Sequence, residues 1–393
     1  MPNQCWQRVF LGLINTTAGG IYFFLSLYFV KDLHMNIARA GIIISFYGVG
    51  RMCGGIIGGK AADRFSPTKI SIICMLIESI AFIALVRLHT FIPLIINVFV
   101  YGVAMYGFNV SNKTWVLKQT GDSHAERLKA INILYTATNM GVGLAAVIVS
   151  IFADKGFHEI FIFSGVLLFV AAIYLISNHR KFLHRDHLTQ NTRASSGLSS
   201  SQKKKFSKTD RIVFIVTLLS LFLIGLVVIQ HQTTYTIYLH EFLPQIGIRG
   251  VGLIYAINPI LIVFFQVPLV NRFKESNKVM LTGYGAFMMG AGTLMLVLPL
   301  TVFIAIISAI IYTVGEMLFM PVTQLICYQR ADENKKGQGL GMYQTVYAAS
   351  VVVGPAVGGV IYHKFGGDLL WYFSGVIGFI CLLLGFYFKK FER

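Results

Sequence analysis

Charged residues are scarce in this chain. They make up 12% of its 393 residues, whereas about 25% is typical of soluble domains. Apolar residues make up 55%, and the mean hydropathy is +0.69. No stretch is long and polar enough to form a separate soluble domain, so the composition excludes an ordinary water-soluble enzyme and indicates a polytopic membrane protein.

Cysteine clusters are missing as well. The five cysteines lie far apart, mostly inside apolar runs, and form no Cys-x-x-Cys motif. The sequence therefore supports neither a disulfide framework nor a metal site. It contains no nucleophile motif and no glycine-rich phosphate loop, so we expect no cofactor, no ATP-binding element and no enzymatic activity.

Long apolar runs fill most of the chain. A helix needs about 20 apolar residues to cross the hydrocarbon core of a bilayer, and we find a series of runs close to that length. We interpret the first run as a retained helix, because no small-residue cleavage site follows it. The sequence thus predicts an all-α polytopic membrane protein with twelve transmembrane helices. In chain order the predicted spans cover residues 9–30, 39–61, 70–87, 91–115, 131–153, 160–177, 211–239, 250–270, 279–298, 302–327, 340–362 and 368–388.

Basic residues are unevenly distributed over the loops. Of the 33 Lys and Arg residues, 26 lie at the two termini or in the even-numbered loops, and six lie in the odd-numbered loops. This positive-inside pattern places both termini in the cytoplasm. The short outer loops and the absence of targeting signals indicate a bacterial inner membrane. The net charge of +17 therefore reflects membrane topology rather than nucleic-acid binding.

A polar linker divides the predicted spans into two halves. Residues 178–210 are rich in serine and lysine and have too little apolar surface to fold. We expect a flexible basic tether there, with docking onto anionic lipid as the alternative. The predicted domains are a six-helix bundle over residues 1–177, this cytoplasmic linker, and a second six-helix bundle over residues 211–393.

Short matches between the two halves recur at a nearly constant offset. Asp63–Phe65 after span 2 resembles Asn271–Phe273 after span 8, and Gly141–Gly143 in span 5 resembles Gly354–Ala356 in span 11. The offsets of 208 and 213 residues indicate one six-helix unit that was duplicated. Two parallel repeats suit alternating access around a central cavity.

A motif between spans 2 and 3 points to a known family. The run from Gly59 to Asp63 and Arg64 matches the first half of the signature G-x-x-x-D-R-x-G-R-R/K, and Lys69 alone stands in for its basic pair. Together with the two sets of six spans, this motif makes the chain resemble the Major Facilitator Superfamily of secondary transporters over nearly its whole length. The resemblance implies two six-helix repeats and a gating role for Gly59, Asp63 and Arg64.

The acidic residue of this motif indicates a gate at the cytoplasmic side. A carboxylate at the end of span 2 can face the positive N-terminal end of span 11, which we expect near Gly339. There it would hold the two halves together. We expect Arg127, before span 5, to be the charge partner of Asp63. The alternative for Asp63 is a merely solvated loop charge.

Glycine stripes on spans 2 and 11 favour close approach of helices. Either stripe is a sliding gate surface or ordinary membrane packing. The signature G-P-x-x-G-G of drug/proton antiporters, usual in span 5, occurs here in span 11 and includes Pro355. Span 4 lacks the arginine of that group. The stripes consist of Gly50, Gly54 and Gly58 on span 2, and of Gly354, Gly358 and Gly359 on span 11.

Ionisable residues inside the predicted spans are candidates for function, because charge is costly at bilayer depth. Glu316, near the centre of span 10, can exchange a proton, and structural pairing is the alternative. Arg51 and Glu78, midway along spans 2 and 3, would satisfy each other as a buried ion pair. If Arg51 is unpaired and faces the cavity, it indicates an acidic substrate. His231 can relay protons near neutral pH, unless it only packs between helices.

Further polar side chains are candidates for lining a substrate cavity. A mixture of amides and aromatic rings suits amphipathic organic molecules. These candidates are Asn15 and Tyr22 on span 1, Asn109 and Lys113 on span 4, Tyr135 and Asn139 on span 5, Gln230 and Tyr235 on span 7, Asn258 on span 8, and Tyr343, Gln344 and Tyr347 on span 11.

These features predict a secondary transporter that moves a small organic molecule by alternating access, coupled to protons and directed towards export. We expect a monomer whose partners are the substrate, protons and the lipid bilayer. Uptake of a metabolite or siderophore-like ligand is a second hypothesis, favoured by the signature missing from span 5. A receptor or scaffold without transport activity is a third, and it requires the acids in the spans to be dispensable.

Overall fold

The computed structural model describes residues 3–25, 28–29, 32–35, 37–120, 123–152, 157–178, 180–182, 208–273 and 275–391. Helices account for most of these residues, and this part of the chain contains no β-strand. Helices are the natural outcome for so apolar a chain, because they satisfy their own backbone hydrogen bonds inside lipid. The predicted all-α class is confirmed.

The helices follow the predicted spans closely. In chain order, the α-helices of the described residues are α1 (Asn3–Gly19), α2 (Ile37–Arg64), α3 (Pro67–Leu85), α4 (Phe91–Gln119), α5 (His124–Phe152), α6 (Phe157–Ser177), α7 (Lys208–Gln232), α8 (Thr234–Phe242), α9 (Gly247–Arg272), α10 (Lys278–Leu294), α11 (Val302–Gln329), α12 (Lys336–Phe365) and α13 (Gly367–Phe388). Helices α2–α6 correspond to spans 2–6, α7 with α8 to span 7, and α9–α13 to spans 8–12.

Eleven of these helices are long and apolar enough to cross a membrane. Span 1 corresponds to the shorter helix α1, which continues as the 3₁₀-helix Gly20–Phe24. Part of the predicted span 9–30 lies outside the described residues. Large apolar side chains, such as those of Phe264 and Phe303, are exposed on the outer helix faces. Lipid tails would contact them there.

The chain divides into two units, within each of which the Cα atoms lie close together. The first comprises Met1–Phe206 and Ala331–Ala348, and the second comprises Ser207–Arg330 and Ala349–Arg393. The N-terminal part of α12 thus groups with the first unit, whereas the predicted boundary assigned all of it to the second bundle. The domain boundaries at residues 177 and 211 stay a prediction. Most of the predicted linker, residues 183–207, lies outside the described residues.

In the first unit, α2 and α4 lie in close backbone contact. A Cβ atom added to Gly54 would lie 2.9 Å from Cα of Val103, and one added to Gly58 would lie 2.6 Å from Cα of Gly107. The predicted glycine stripe of span 2 therefore packs α2 against α4 within one unit. This arrangement favours ordinary packing over a sliding gate surface for that stripe.

A neighbouring face of α2 contacts the N-terminal part of α12. A Cβ atom at Gly59 would lie 2.6 Å from the carbonyl oxygen of Gly337, and one at Gly341 would lie 3.2 Å from Cα of Gly59. The hydroxyl of Thr345 also donates a hydrogen bond of 3.1 Å to the carbonyl oxygen of Met52. These two backbones approach so closely that only glycine fits between them.

The glycine stripe of α12 is divided between two surroundings. Gly354 and Gly358 face α7 so closely that a Cβ atom at either would overlap Ile229 or Gln230. Nothing lies within 4 Å of a Cβ atom at Gly359, and Pro355 is exposed. The two buried glycines therefore pack inside the second unit, and the other two predicted gating residues of this helix do not.

Candidate functional site

The carboxylate of Asp63 caps the N-terminus of α12. Its Oδ1 accepts a hydrogen bond of 2.7 Å from the backbone N–H of Gly337, and its Oδ2 accepts one of 2.8 Å from Gln338. The first N–H groups of a helix have no partner inside the helix, and the helix dipole is positive there. One carboxylate therefore satisfies two of these groups and adds a favourable charge interaction.

The cations that act on Asp63 differ from the predicted one. Lys118, near the end of α4, and Lys336, at the start of α12, attract its charge. In the described part of the chain Arg127 is not among the partners of Asp63, so the expected pair is not formed there. Arg127 is buried at the start of α5 and has other contacts. Arg64 is exposed and lies over the ring of Phe65.

Arg51 and Glu78 do not form the expected ion pair. Arg51 donates a hydrogen bond from Nη2 to the hydroxyl oxygen of Tyr106. Its guanidinium carbon lies 4.5 Å from the ring centroid of Tyr106 and 5.4 Å from that of Tyr47. The physical reason is that the two side chains bind different helices. Arg51 of α2 binds Tyr106 on α4, whereas Glu78 of α3 binds Asn15 on α1.

Glu78 lies in the interior of the first unit. It is fully buried, and Nδ2 of Asn15 donates a hydrogen bond of 2.8 Å to its Oε2. Tyr22 and Tyr101 lie within the range of its charge and stack on each other, with ring centroids 3.5 Å apart. Among the described residues, the hydrogen-bond donor to this carboxyl is thus an uncharged amide.

In the second unit, Glu316 and Asn258 connect α11 to α9. Nδ2 of Asn258 donates a hydrogen bond of 2.7 Å to Oε2 of Glu316 and one of 3.1 Å to the hydroxyl oxygen of Thr313. Glu316 is 8% exposed. Pro259 follows Asn258 inside α9 and lacks an N–H, so the helix loses one backbone hydrogen bond beside this pair.

His231, near the end of α7, lies between two aromatic rings. Its ring centroid is 4.1 Å from that of Tyr235 and 4.0 Å from that of Tyr312, and all three rings are nearly parallel. Its Nε2 atom is buried and has no hydrogen-bond partner within the described residues. The preceding Gln230 donates a hydrogen bond of 2.7 Å to the carbonyl oxygen of Gly354. The stack favours a packing role for His231.

Several of the other candidates bond within their own helix. Asn109 donates to the carbonyl oxygen of Met105 at 3.4 Å, and Asn139 donates to that of Tyr135 at 3.0 Å. Lys113 is buried in α4. In the N-terminal part of α12, Tyr343 and Gln344 are buried and Tyr347 is half-buried.

The predicted site residues thus divide between the two units. Those of the first unit are Asn15, Tyr22, Arg51, Glu78, Asn109, Lys113, Tyr135, Asn139, Tyr343, Gln344 and Tyr347. Those of the second unit are Gln230, His231, Tyr235, Asn258 and Glu316.

Three side chains that hold these candidates are not among the predicted site residues. Tyr106 binds Arg51, Tyr312 stacks on His231, and Thr313 shares the amide of Asn258. Tyr312 and Thr313 precede Glu316 by four and three residues, and this spacing places them on its helix face. The spacing could therefore have identified those two. Tyr106 gives no such signal, because its partner is on another helix.

The arrangement of spans agrees with a comparison of the whole chain. The family model of the Major Facilitator Superfamily matches residues 9–353 and 245–392. The chain belongs to the Major Facilitator Superfamily. It is a multi-pass membrane transporter rather than an enzyme, and transporters of this superfamily bind small-molecule substrates within the membrane.

Two similar proteins come from Bacillus subtilis (strain 168). The uncharacterized MFS-type transporter YttB is 24% identical over 378 residues, covering 93% of this chain and 90% of its own length. Multidrug resistance protein 2 is 21% identical over 343 residues, covering 85% of this chain and 82% of its own length.

Solved transporter structures show the same fold. A POT family transporter in complex with a thioalcohol-conjugated peptide has a TM-score of 0.74 at 15% identity, covering all of this chain and 97% of that one. The human organic anion transporter MFSD10 (TETRAN) has a TM-score of 0.70 at 12% identity, and each chain is covered completely. At these identities the likeness concerns the Major Facilitator fold alone.

Proposed function

We propose that this protein is a proton-coupled exporter of small organic molecules that works by alternating access. The observation that carries the proposal is the buried carboxyl of Glu316, bound by the side-chain amide of Asn258 at 2.7 Å. An ionisable group inside a transmembrane helix is costly and marks ion or substrate pathways. Glu316 lies in the middle of α11, which is such a position.

The contact with Asn258 suits a group that gains and loses a proton. An amide N–H can donate to a carboxyl oxygen in either protonation state. An ion pair with lysine or arginine would instead hold the carboxylate ionised. The contact with Asn258 is therefore compatible with both protonation states of Glu316, and we assign the coupling proton to this carboxyl.

The cap formed by Asp63 supports the gating part of the proposal. It binds the N-terminal turn of α12 to the end of α2 through two backbone hydrogen bonds, and Gly59 allows the backbones to approach. We assign the gate at the cytoplasmic side to this contact. When the contact opens, two N–H groups lose their partner, and water or substrate must replace it.

The direction of transport follows from the relatives by analogy. Multidrug resistance protein 2 is one of the similar chains, and its name supports export. The G-P-x-x-G-G run lies in α12 instead of α5, which keeps uptake of a metabolite or siderophore-like ligand as the competing direction.

We also propose a bacterial inner membrane location, cytoplasmic termini and a monomeric protein. The support for the orientation is the excess of Lys and Arg in the even-numbered loops. Reporter fusions at both termini test the orientation. Alkaline phosphatase should be inactive and a fluorescent protein active at each end, and the reverse at either end would contradict this topology.

Transport by purified protein in proteoliposomes tests the coupling. The assay follows internal pH and substrate movement for ethidium, an aromatic carboxylate and a ferric siderophore, under an imposed pH gradient and without one. The variant is Glu316→Gln, and the matched control is Glu126→Gln, which changes an exposed carboxylate at the start of α5.

We expect the wild type and Glu126→Gln to move a substrate against its gradient when the pH gradient is present. Glu316→Gln should lose this accumulation but keep exchange of substrate between equal concentrations, because exchange needs no net proton movement. Equal gradient-driven transport by Glu316→Gln and the wild type would exclude Glu316 as the coupling site. Movement only in the inward direction would favour uptake.

A further inference from the structure

Arg51 is a buried cation in the middle of a transmembrane helix. It is 7% exposed, and no acidic residue in the described part of the chain forms an ion pair with it. The carboxyl that the sequence offers as its partner, that of Glu78, is bound to Asn15 at 2.8 Å. The positive charge of Arg51 is therefore not neutralised by a described carboxylate.

The groups around the guanidinium compensate its buried positive charge only in part. The hydroxyl of Tyr106 accepts one hydrogen bond, and the ring faces of Tyr47 and Tyr106 offer cation–π contact at 5.4 and 4.5 Å. These groups carry no net charge. The Nε atom of Arg51 is buried and has no hydrogen-bond partner among the described residues. A guanidinium has five N–H donors, and one hydrogen bond from it is found within the described residues.

We infer that Arg51 binds an anionic oxygen group of the transported molecule: a carboxylate, phosphate or sulfonate. Such a group takes two parallel hydrogen bonds from a guanidinium and supplies the missing negative charge. Tyr106 is placed to help, because its oxygen accepts from Arg51, and within the described residues no acceptor takes its own proton, which can donate to the same anion. This inference rests on the proposed transport function, for which it specifies the substrate class.

The backbone around Arg51 is closely packed, which suits a recognition site. The contact of α2 with α4 runs through glycines on both sides of Arg51, and a Cβ atom at Gly102 of α4 would lie 3.1 Å from the backbone nitrogen of Arg51. Tyr106 lies one helical turn after Gly102. Arg51 and Tyr106 are therefore held in register by two helices in direct contact, which lowers the ordering cost of binding.

Binding measurements on purified protein test the inference without knowledge of the natural substrate. The probes are 1-naphthoate, 1-naphthalenesulfonate and phenyl phosphate, with 1-naphthamide as the uncharged match. The readout is the thermal unfolding midpoint as a function of probe concentration. The protein is held in nanodiscs of zwitterionic lipid, and a second series contains phosphatidylglycerol, so that a lipid phosphate is distinguished from a soluble anion.

The variants separate the charge from the hydroxyl. Arg51→Gln removes the cation, Arg51→Lys keeps a charge without the planar pair of donors, and Tyr106→Phe removes the hydroxyl. Arg39→Gln is the matched control, because Arg39 is an exposed arginine on the same helix. The unfolding midpoint of each variant without probe shows whether it is folded.

We expect at least one anionic probe to raise the midpoint of the wild type and of Arg39→Gln in a saturable way, and 1-naphthamide to have no effect. In Arg51→Gln the affinity should fall about tenfold to a hundredfold, as for the loss of a charged hydrogen-bond partner. Arg51→Lys and Tyr106→Phe should show smaller losses.

Identical responses of the wild type and Arg51→Gln to every probe, including no response in either, would overturn the inference. Stabilisation that occurs with phosphatidylglycerol alone and depends on Arg51 would also overturn it, in favour of a lipid site. Failure of proton coupling is recognised separately. A wild type that moves no protons but binds the anionic probe in a manner that depends on Arg51 would contradict the proton coupling alone.

Discussion

Asn15 and Glu78 are 63 residues apart in the chain, and their side chains form a hydrogen bond of 2.8 Å in the buried interior of the first unit. The atom Oε1 of Glu78 and the atom Oδ1 of Asn15 are buried without partners among the described residues. An ionised carboxylate without a cation is costly in such a place. Arg51, the cation that the sequence predicts as its partner, is bound by Tyr106 instead.

We predict that Glu78→Gln folds as well as the wild type, with a change of about 1 kcal/mol or less in unfolding free energy, because an amide accepts the same hydrogen bond. Asn15→Leu should cost about 1–3 kcal/mol, since it leaves the carboxyl of Glu78 without its donor. Thermal unfolding in detergent measures both. A Glu78→Gln protein less stable than Asn15→Leu would indicate that a negative charge at Glu78 is needed.

Removal of the Asp63 carboxylate should loosen the start of α12. Asp63→Ala leaves the N–H groups of Gly337 and Gln338 without their acceptor. It should lower the free energy of local opening by about 2 kcal/mol, which raises the opening equilibrium constant about 30-fold. Hydrogen exchange of the first turn of α12 measures this change. Asp63→Asn should be intermediate, because an amide offers one acceptor oxygen.

Asp32→Ala serves as the control for this experiment, since Asp32 is exposed and lies in the loop before α2. It should leave exchange at residues 336–340 unchanged. Unaltered protection of that turn in Asp63→Ala would show that the cap does not hold α12.

Two glycines of α12 should respond oppositely to alanine. A Cβ atom at Gly341 would lie 3.2 Å from Cα of Gly59 and closer still to Gly55, whereas one at Gly359 meets nothing within 4 Å. Gly341→Ala should therefore cost about 1–3 kcal/mol by overpacking. Gly359→Ala should be neutral or stabilise by up to about 1 kcal/mol, as expected for alanine in a helix. Similar unfolding midpoints for the two variants would contradict the packing described for α12.

The ring of His231 should be replaceable by another flat ring. His231→Phe keeps the stack with Tyr235 and Tyr312 and should retain both stability and pH-driven transport. His231→Ala removes a buried ring between two others and should cost about 2–4 kcal/mol, in the range of other large core truncations. Loss of pH-driven transport in a stable His231→Phe protein would instead assign His231 to the proton pathway.

The positions of the spans and of the cap at Asp63 could be predicted from the sequence. Lipid permits few backbone structures, and so each apolar run of about 20 residues predicts a helix at that place. The start of α12 at Lys336, three residues before the expected Gly339, shows the precision of such boundaries. Asp63 was placed against that helix end by its motif, and the two hydrogen bonds to Gly337 and Gln338 agree with that position.

The sequence did not predict which polar side chains pair with each other. Hydropathy gives the depth of Arg51 and Glu78 in the membrane but not the rotation of their helices, and a rotation of about 100° per residue decides which neighbour a side chain meets. For Arg127 and the glycines the same holds. Gly58 faces α4, while Gly59, the next residue, faces α12.

By itself, therefore, the sequence determined the membrane class of the protein, the positions of its spans and the family to which it belongs, because these depend on composition and on short local motifs. The tertiary structure alone decided that Asn15 binds Glu78, that Tyr106 binds Arg51, and that the ring of His231 is stacked. Each of these contacts joins residues through the packing angles of helices, and those angles depend on the whole set of interlocking side chains.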